Sequence, residues 1–450
     1  MQRRRLAIHR VRFASFVRGL RDNSSLRSIL QNTGWLLTGK GVGAVLSLFY
    51  LAIVTRTLGP VGFGLFSLIL SAAQTIGIII SFETWQIIVR YGQEYVPSGD
   101  HEKFGRLFFF CIALDLCGAI VGSLIAMAVA FLLGPELGLT NDMAVQATLF
   151  SMVMLLTIRS TPTGILRLFD RFDAGAFAET MVPVGRMIGA LAVWLTGPSI
   201  SGFLIAWAGA ELLCAVAYWY LALKTIRERT GRLSGRRFLT ARHDQPEILR
   251  YLVATNISTS VSGATRHLAV LLVGGFVGPA SAGLYRLANQ LSASLTKIAG
   301  LLSKSIFAEL VKVRANADAE SLRALFSRAS LLAIITGILI AIIVVFIGKP
   351  LLLLLAGPEY EAAYPLLVLL GIAAAIDLIG VTYEPLLMAT GRMNWSVKIR
   401  LFNAVLLVVI LTILLPRFGT IGAAIATLAV AVVGLLLMGR AAKRAALQAG

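Results

Sequence analysis

Long apolar stretches of membrane-crossing length alternate with short polar turns along the whole chain, and this rhythm organises everything else in it. A bilayer core takes about 20 apolar residues per helix. The pattern predicts spans near 32–55, 64–89, 104–133, 144–166, 174–197, 201–223, 250–276, 283–305, 327–348, 362–389, 395–416 and 419–439. The expected fold is therefore all-α, a polytopic membrane protein with 12 transmembrane helices. One sizeable hydrophilic connection, 224–249, divides six spans from six. The expected organisation is a basic N-terminal segment 1–31, a six-helix lobe 32–223, a basic linker 224–249, a second six-helix lobe 250–440 and a tail 441–450.

The two halves resemble each other. LGPVGFGLF at 58–66 matches VGPASAGLY at 277–285, and LLGPE at 132–136 matches LAGPE at 355–359. Pro162 aligns with Pro385, and Gly202 with Gly422, at nearly the same offset. Marks repeated in order at a near-constant spacing indicate an internal duplication. Each half holds an even number of spans, so the lobes are parallel repeats about an axis along the membrane normal, with a route between them.

Within this apolar pattern one stretch stands out, Thr255 to Lys304. It carries Asn256, Ser258, Ser260, Ser262, Thr265, Arg266 and His267, then Asn289, Gln290, Ser292, Ser294 and Lys297. Lipid offers no hydrogen bonds, so such a polar side is expected to face other helices or water, as the wall of a pathway.

Composition agrees with the pattern: hydrophobic residues make up 57% and charged residues 14%, against about 25% charged in soluble domains. A net charge of +19 raises nucleic acid as a partner, but the placement of the charge argues otherwise. Only Arg56, Lys349 and Arg417 fall outside and six cations fall within spans, while the remainder gather on the side of the linker and the termini. That asymmetry follows the positive-inside rule and puts both termini in the cytoplasm. Residues 1–30 hold eight arginines and one acid, which suits either an interfacial helix on anionic lipid or a solvated tail.

Catalytic motifs are missing. GWLLTGKG at 34–41 imitates a phosphate loop but has Gly41 where Ser or Thr is needed, and it lies inside an apolar span. Cys111, Cys117 and Cys214 read as small buried apolar residues, and the four histidines are scattered, so neither a metal nor a cofactor is expected. The intramembrane cations Lys40, Arg159, Arg186, Arg266, Arg286 and Lys297 are the candidate substrate-binding residues, because guanidinium forks suit phosphate oxygens. The same cations could instead neutralise buried acids. Asp115, Glu211 and Asp377 lie near mid-membrane and are candidates to carry a proton or sodium.

The chain resembles the oligosaccharide flippase, or polysaccharide transporter, family of the multidrug/oligosaccharidyl-lipid/polysaccharide exporter superfamily. The likeness is carried by NTGWLLTGKGVGAVLSLFYLAIVTRTLGPVGFGLFSL at 32–68, LLVGGFVGPASAGLYRLANQL at 271–291, IFAELVKVRANADAESLRALFSRAS at 306–330, LAGPEYEAAYPLLVLL at 355–370 and LLMATGR at 386–392. It departs at Ala269, where relatives often carry an acid, and at Ala308, where a proline is common. The resemblance implies a central cavity opening alternately to either side of a bacterial inner membrane, and export of a polyprenyl-diphosphate-linked oligosaccharide. It implies membrane lipids and a glycan polymerase or glycosyltransferase as partners, and no enzymatic activity. A cation-coupled multidrug exporter of the same fold and a membrane-embedded glycan polymerase or ligase are the alternatives.

Overall fold

The computed structural model describes residues 24–231, 233–234, 237–294, 319–389 and 393–448, and these are helical almost throughout, with no strand among them. The helices are α1 Ser24–Ile80, α2 Thr84–Tyr95, α3 His101–Leu132, α4 Asn141–Leu156, α5 Ser160–Leu168, α6 Phe172–Thr196 and α7 Ile200–Arg229. After the linker come α8 Ile248–Val277 and α9 over 279–294, then α10 Ala319–Ala356, α11 Tyr364–Ile379, α12 Tyr383–Ala389 and α13 Met393–Gln448. Eight stretches of the described residues are long and apolar enough to cross a membrane, and two of them exceed 50 residues. Those two contain a turn, at Gly59 in α1 and Gly419 in α13, where positive φ angles favour glycine. Many large apolar side chains face outward, Leu132, Leu195, Ile205 and Phe346 among them, as a lipid belt requires. Cys117 joins this outer surface; only Cys111 and Cys214 have the buried place expected of all three cysteines.

Three expected spans prove discontinuous. The stretch expected as 64–89 stops at Ile80 and restarts at Thr84; 144–166 stops at Leu156 and restarts at Ser160; 362–389 passes through a tight turn at Gly380–Thr382. The second and third breaks each stand just ahead of one of the duplicated prolines, Pro162 and Pro385, in the first turn of the restarted helix, where a missing N–H is tolerated. The long apolar runs conceal these breaks, because hydropathy is blind to a three-residue loss of helix.

Asp115 ties two of the breaks together. It is buried on α3 and accepts the Thr84 hydroxyl at 2.9 Å, the Thr161 hydroxyl at 2.6 Å and the Thr161 N–H at 3.3 Å. The Trp85 N–H donates to Ser160 Oγ at 3.1 Å. One carboxylate thus takes the Thr84 hydroxyl in the first turn of α2 and caps the restart of α5 through the Thr161 N–H, while Ser160 caps α2, so that donors are not stranded in an apolar layer.

The lobes meet through their duplicated turns. A Cβ on Gly64 would lie 1.8 Å from the Pro279 carbonyl oxygen, and one on Gly283 would lie 2.7 Å from the Pro60 carbonyl oxygen. Gly64 and Gly283 are the same position of the repeat, so each lobe presents the same glycine to the backbone of the other. Around this contact Arg56 donates to the carbonyls of Leu354 and Leu355 at the end of α10, and the buried Tyr360 hydroxyl donates to the Thr55 carbonyl at 3.1 Å. One apolar core runs across both lobes here, through Phe63, Phe66, Tyr285, Leu367 and Leu415. The lobes are joined at the face of the molecule that carries Gly59, Gly278 and Gly357.

Toward the opposite face, α8 packs along α1 as well. Asn256 Nδ2 donates to the Ser81 carbonyl at 3.1 Å and Ser260 Oγ donates to the Ile78 carbonyl at 2.9 Å. Part of the polar stretch expected to line a pathway therefore serves the carbonyls left open where α1 ends. The linker lies against the first lobe: Arg106 makes a two-pronged pair with Asp244 at 2.9 and 3.2 Å, and Leu233, Phe238, Ala241 and Ile248 pack on a second core under α2, α3 and α5.

Replacing Asp115 with Ala should lower unfolding stability in detergent by about 1–3 kcal/mol, with Asp115→Asn intermediate, since stranded capped donors carry that penalty. Gly64→Ala should force the joined face apart. The measurement is labelling of Ser71→Cys by a membrane-impermeant thiol reagent, in a background lacking the three native cysteines; labelling should rise with the Gly64→Ala change.

Candidate functional site

Two stripes of small residues set the site. On α6, Gly185 and Gly189 oppose Ala210 and Ala206 on α7; Cβ atoms added at these glycines would come within 3.0 and 2.6 Å of the two alanine Cβ atoms. Small residues at a four-residue spacing let helices in a membrane approach this closely. The approach brings the neighbouring side chains Arg186 and Glu211 into contact, and Arg186 hydrogen-bonds Glu211 Oε1. The other oxygen, Glu211 Oε2, lies 2.9 Å from Arg159, which stands at the break before α5 and also reaches Cys214 Sγ at 3.5 Å. That second contact is ionic without hydrogen-bond alignment. Glu211 is only 4% exposed, and it is the shared counter-ion of two arginines.

The Arg186 guanidinium lies 3.3 Å from the centre of the Trp207 ring, a cation–π contact. Trp207 in turn meets Tyr50 edge-on at 5.7 Å and Phe66 at 6.0 Å. Around this stack three buried donors, Arg186 Nε, Trp207 Nε1 and the Tyr50 hydroxyl, have no hydrogen-bond partner among the described residues. Buried donors are nearly always paired, so three orphans in one place describe a position suited to acceptor atoms.

The second lobe contributes Arg286. Its guanidinium donates to Ser71 Oγ at 3.1 Å and to Gln74 Oε1 at 3.4 Å, both on α1, and lies 3.4 Å from His267 Nδ1. Every one of these partners is neutral or a weak base, and no carboxylate pairs with Arg286 among the described residues. Arg186 and Arg286 are close enough to repel each other, with Tyr50 near both. At about 1.5 Å rise per residue, Tyr50, Arg186, Trp207, Glu211 and Arg286 all lie about 10–17 Å below the joined face, near mid-membrane.

The expected site residues thus divide. Arg159, Arg186 and Arg286 come together, with Glu211 among them. Asp115 is engaged by the Thr84 hydroxyl of α2 and by the Thr161 hydroxyl and N–H of α5, and Asp377 stands in the last turn of α11, just ahead of the break at Gly380. The side chains of Lys40 and Arg266, and Lys297 altogether, lie outside the described residues. Sequence reasoning missed Tyr50, Ser71, Gln74 and Trp207. Gln74 was detectable as a lone amide in an apolar span; the two aromatics carried no signal.

A two-lobed bundle of helices long and apolar enough to cross a membrane, with ionised side chains buried at the lobe contact, is a polytopic membrane fold. The chain belongs to the polysaccharide biosynthesis protein family, whose model matches residues 29–307. It is 31% identical over 347 residues to the inner membrane protein YghQ of Escherichia coli K12, covering 77% of this chain and 97% of that one. Among solved structures it resembles the lipid II flippase MurJ in an inward closed conformation, with TM-score 0.68, 13% identity and coverage of 91% of this chain and 87% of that one. It also resembles an inward-facing multidrug resistance MATE family transporter of the MOP superfamily, with TM-score 0.66, 14% identity and coverage of 90% and 95%. The Vibrio cholerae MATE transporter VcmN matches at TM-score 0.57 and 16% identity, covering 94% of this chain and 96% of that one.

Because Gly189 faces Ala206 so closely, Gly189→Leu should lower thermal stability in detergent by about 1–3 kcal/mol. Gly209→Ala on α7, where a Cβ would meet nothing within 4 Å, should leave stability within about 1 kcal/mol of the wild type.

Proposed function

We propose that the protein is a flippase that exports a polyprenyl-diphosphate-linked oligosaccharide across the bacterial inner membrane by alternating access. The observation that carries this reading is the electropositive centre at the lobe contact: three guanidiniums against one deeply buried carboxylate, with three orphaned donors beside them. A diphosphate supplies the missing acceptors and negative charge, and forked guanidiniums match its oxygens. Arg186 and Arg286 would grip the diphosphate from opposite lobes, with Arg159 beside them; Arg266, Lys40 and Lys297 would extend the positive path. The sugar would occupy the space between lobes 32–223 and 250–440 while the lipid tail stays in the bilayer.

The concentration of Lys and Arg on the linker side supports a cytoplasmic location for both termini. The face joined by Gly64 and Gly283 is then the external one, and the conformation is closed to the outside. Donor and recipient enzymes, a glycosyltransferase that builds the lipid-linked sugar and a polymerase that consumes it, are the natural partners.

The same fold carries multidrug exporters, and their relatives among the matched structures favour that second reading. A centre rich in arginine disfavours cationic drugs. The turns on the external face are short, which leaves little room for the acceptor site of a polymerase or ligase.

The test is flipping of a fluorescent short-chain prenyl-diphosphate-linked N-acetylglucosamine in proteoliposomes. Arg186→Ala, Arg266→Ala and Arg286→Ala should each slow it about 10–100-fold, the equivalent of losing charge-assisted hydrogen bonds of about 1.5–3 kcal/mol, with abundance in the membrane unchanged. Unchanged rates in all three would remove the anion site.

A further inference from the structure

We propose that Glu179 is a sugar-reading residue: its carboxylate accepts hydroxyl and amide protons of the pyranose joined to the diphosphate, and it turns away a sugar that carries a carboxylate of its own. The inference rests on the diphosphate site argued above and adds a specificity element to it.

The placement of Glu179 on α6 carries the argument. The face that α6 turns to lipid is the stripe Phe177, Val184, Ile188, Leu191 and Leu195, all exposed and recurring at helical spacing. Glu179 stands about 160° round the helix from that stripe, at 3.6 residues per turn. Gly185 and Gly189 meet Ala210 and Ala206 of α7, while Pro183 meets Gly43 of α1. Glu179 falls between these two contacts, on the inner side of α6, in line with Arg186. It is nevertheless exposed. An exposed ionisable side chain at membrane depth, turned away from lipid, faces a water-filled space within the protein.

The charged groups along this space are ordered. Arg186 and Arg159, with side chains 19% and 34% exposed, occupy the part nearer mid-membrane. Glu179 lies about 10 Å nearer the cytoplasmic end of α6 than Arg186, seven residues at about 1.5 Å each. It is close enough to Arg159 to act on its charge. The Tyr218 hydroxyl donates to Glu179 Oε1 at 3.1 Å, and Tyr218 is buried, so the carboxylate is held by a packed anchor. Its Oε2 has no hydrogen-bond partner among the described residues.

A fixed carboxylate does not suit phosphate, since both groups only accept. It suits the polyhydroxylated ring joined to the phosphate, because an ionised carboxylate takes several hydrogen bonds and charge-assisted ones are the stronger. A diphosphate held by Arg186 and Arg286, with Arg159 beside it and its sugar toward the cytoplasm, brings that ring to Glu179. A carboxylate on the ring would meet Glu179 as a like charge. The position therefore selects by rejection as well as by attraction.

The experiment is isothermal titration calorimetry of the full chain in detergent with three diphosphate diesters. One is farnesyl-diphosphate-linked N-acetylglucosamine, the second carries glucuronic acid instead, and the third is farnesyl methyl diphosphate, which has no sugar. The wild type should bind the N-acetylglucosamine probe about 10–100-fold more tightly than the methyl diester, the yield of charge-assisted hydrogen bonds. It should bind the glucuronic acid probe no more tightly than the methyl diester. Glu179→Ala should lose most of the first difference and bind the methyl diester as the wild type does. Glu179→Gln, which keeps hydrogen bonding and removes the repulsion, should bind the glucuronic acid probe about tenfold more tightly than the wild type. Tyr218→Phe keeps the ring packed and gives a second reading should a Glu179 variant prove unstable; it should weaken the N-acetylglucosamine probe about threefold and leave the methyl diester unchanged. A wild type that binds the N-acetylglucosamine probe and the methyl diester alike, or a Glu179→Ala variant that weakens all three alike, overturns the sugar subsite and leaves the diphosphate site standing. A wild type that binds none of the probes overturns the diphosphate reading and the subsite with it.

Discussion

The contact of Gly64 with the Pro279 carbonyl, mirrored by Gly283 against Pro60, fixes how the two lobes meet. No other residue fits at either position, because a single carbon would overlap backbone, and backbone cannot turn aside as a side chain can. The register of α1 against α9 follows from it. Ser71 lies two helical turns beyond Gly64 and Arg286 about one turn beyond Gly283, so the glycine contact delivers the hydroxyl of one lobe to the guanidinium of the other at 3.1 Å. The duplicated turns are thus a steric device with an electrostatic consequence several ångströms deeper.

Charge is distributed unequally between the lobes. The first lobe balances part of its own charge, with Glu211 serving Arg159 and Arg186, whereas the second brings Arg286 to neutral acceptors of the first. Had each arginine possessed its own carboxylate, the interior would be neutral and the structure would offer an anion little. Among the described residues one carboxylate, Glu211, contacts both Arg159 and Arg186, and Arg186 rests on the ring of Trp207, which packs on Tyr50 and Phe66.

Helix positions and the duplicated glycine turns were legible, as was the presence of Arg159, Arg186 and Arg286 within the helices, because each leaves a mark that survives in one dimension: apolar runs, Gly-Pro turns, and ionised residues where lipid forbids them. All twelve expected segments overlap a helix of the described residues. The breaks before Thr84, Ser160 and Tyr383 were not legible, since a few polar residues within a long apolar run leave its mean hydropathy at that of a span and do not by themselves say that the helix stops. Asp115 was visible as a buried acid but not as a cap, because its partners Thr84 and Thr161 are 31 and 46 residues away and look like ordinary threonines in sequence. Trp207 and Tyr50 illustrate the same limit: an aromatic residue in a greasy segment is unremarkable until its neighbours in space are known.

The neutral partners of Arg286 also bear on how the lobes would separate. Ser71 and Gln74 belong to the first lobe, so any rocking that opens the joined face strips this guanidinium of two acceptors. Left alone in a low-dielectric interior, it opposes the opening. A ligand with phosphate oxygens supplies charged acceptors in place of the neutral ones lost, and charge-assisted hydrogen bonds are roughly twice as strong as neutral pairs. The anion would thereby favour the separated state by its differential contacts there, which is the only way a ligand can shift a conformational equilibrium. On this reasoning the neutral partners Ser71 and Gln74 are suited to their place, since a carboxylate paired with Arg286 across the lobe contact would hold the lobes together against any cargo.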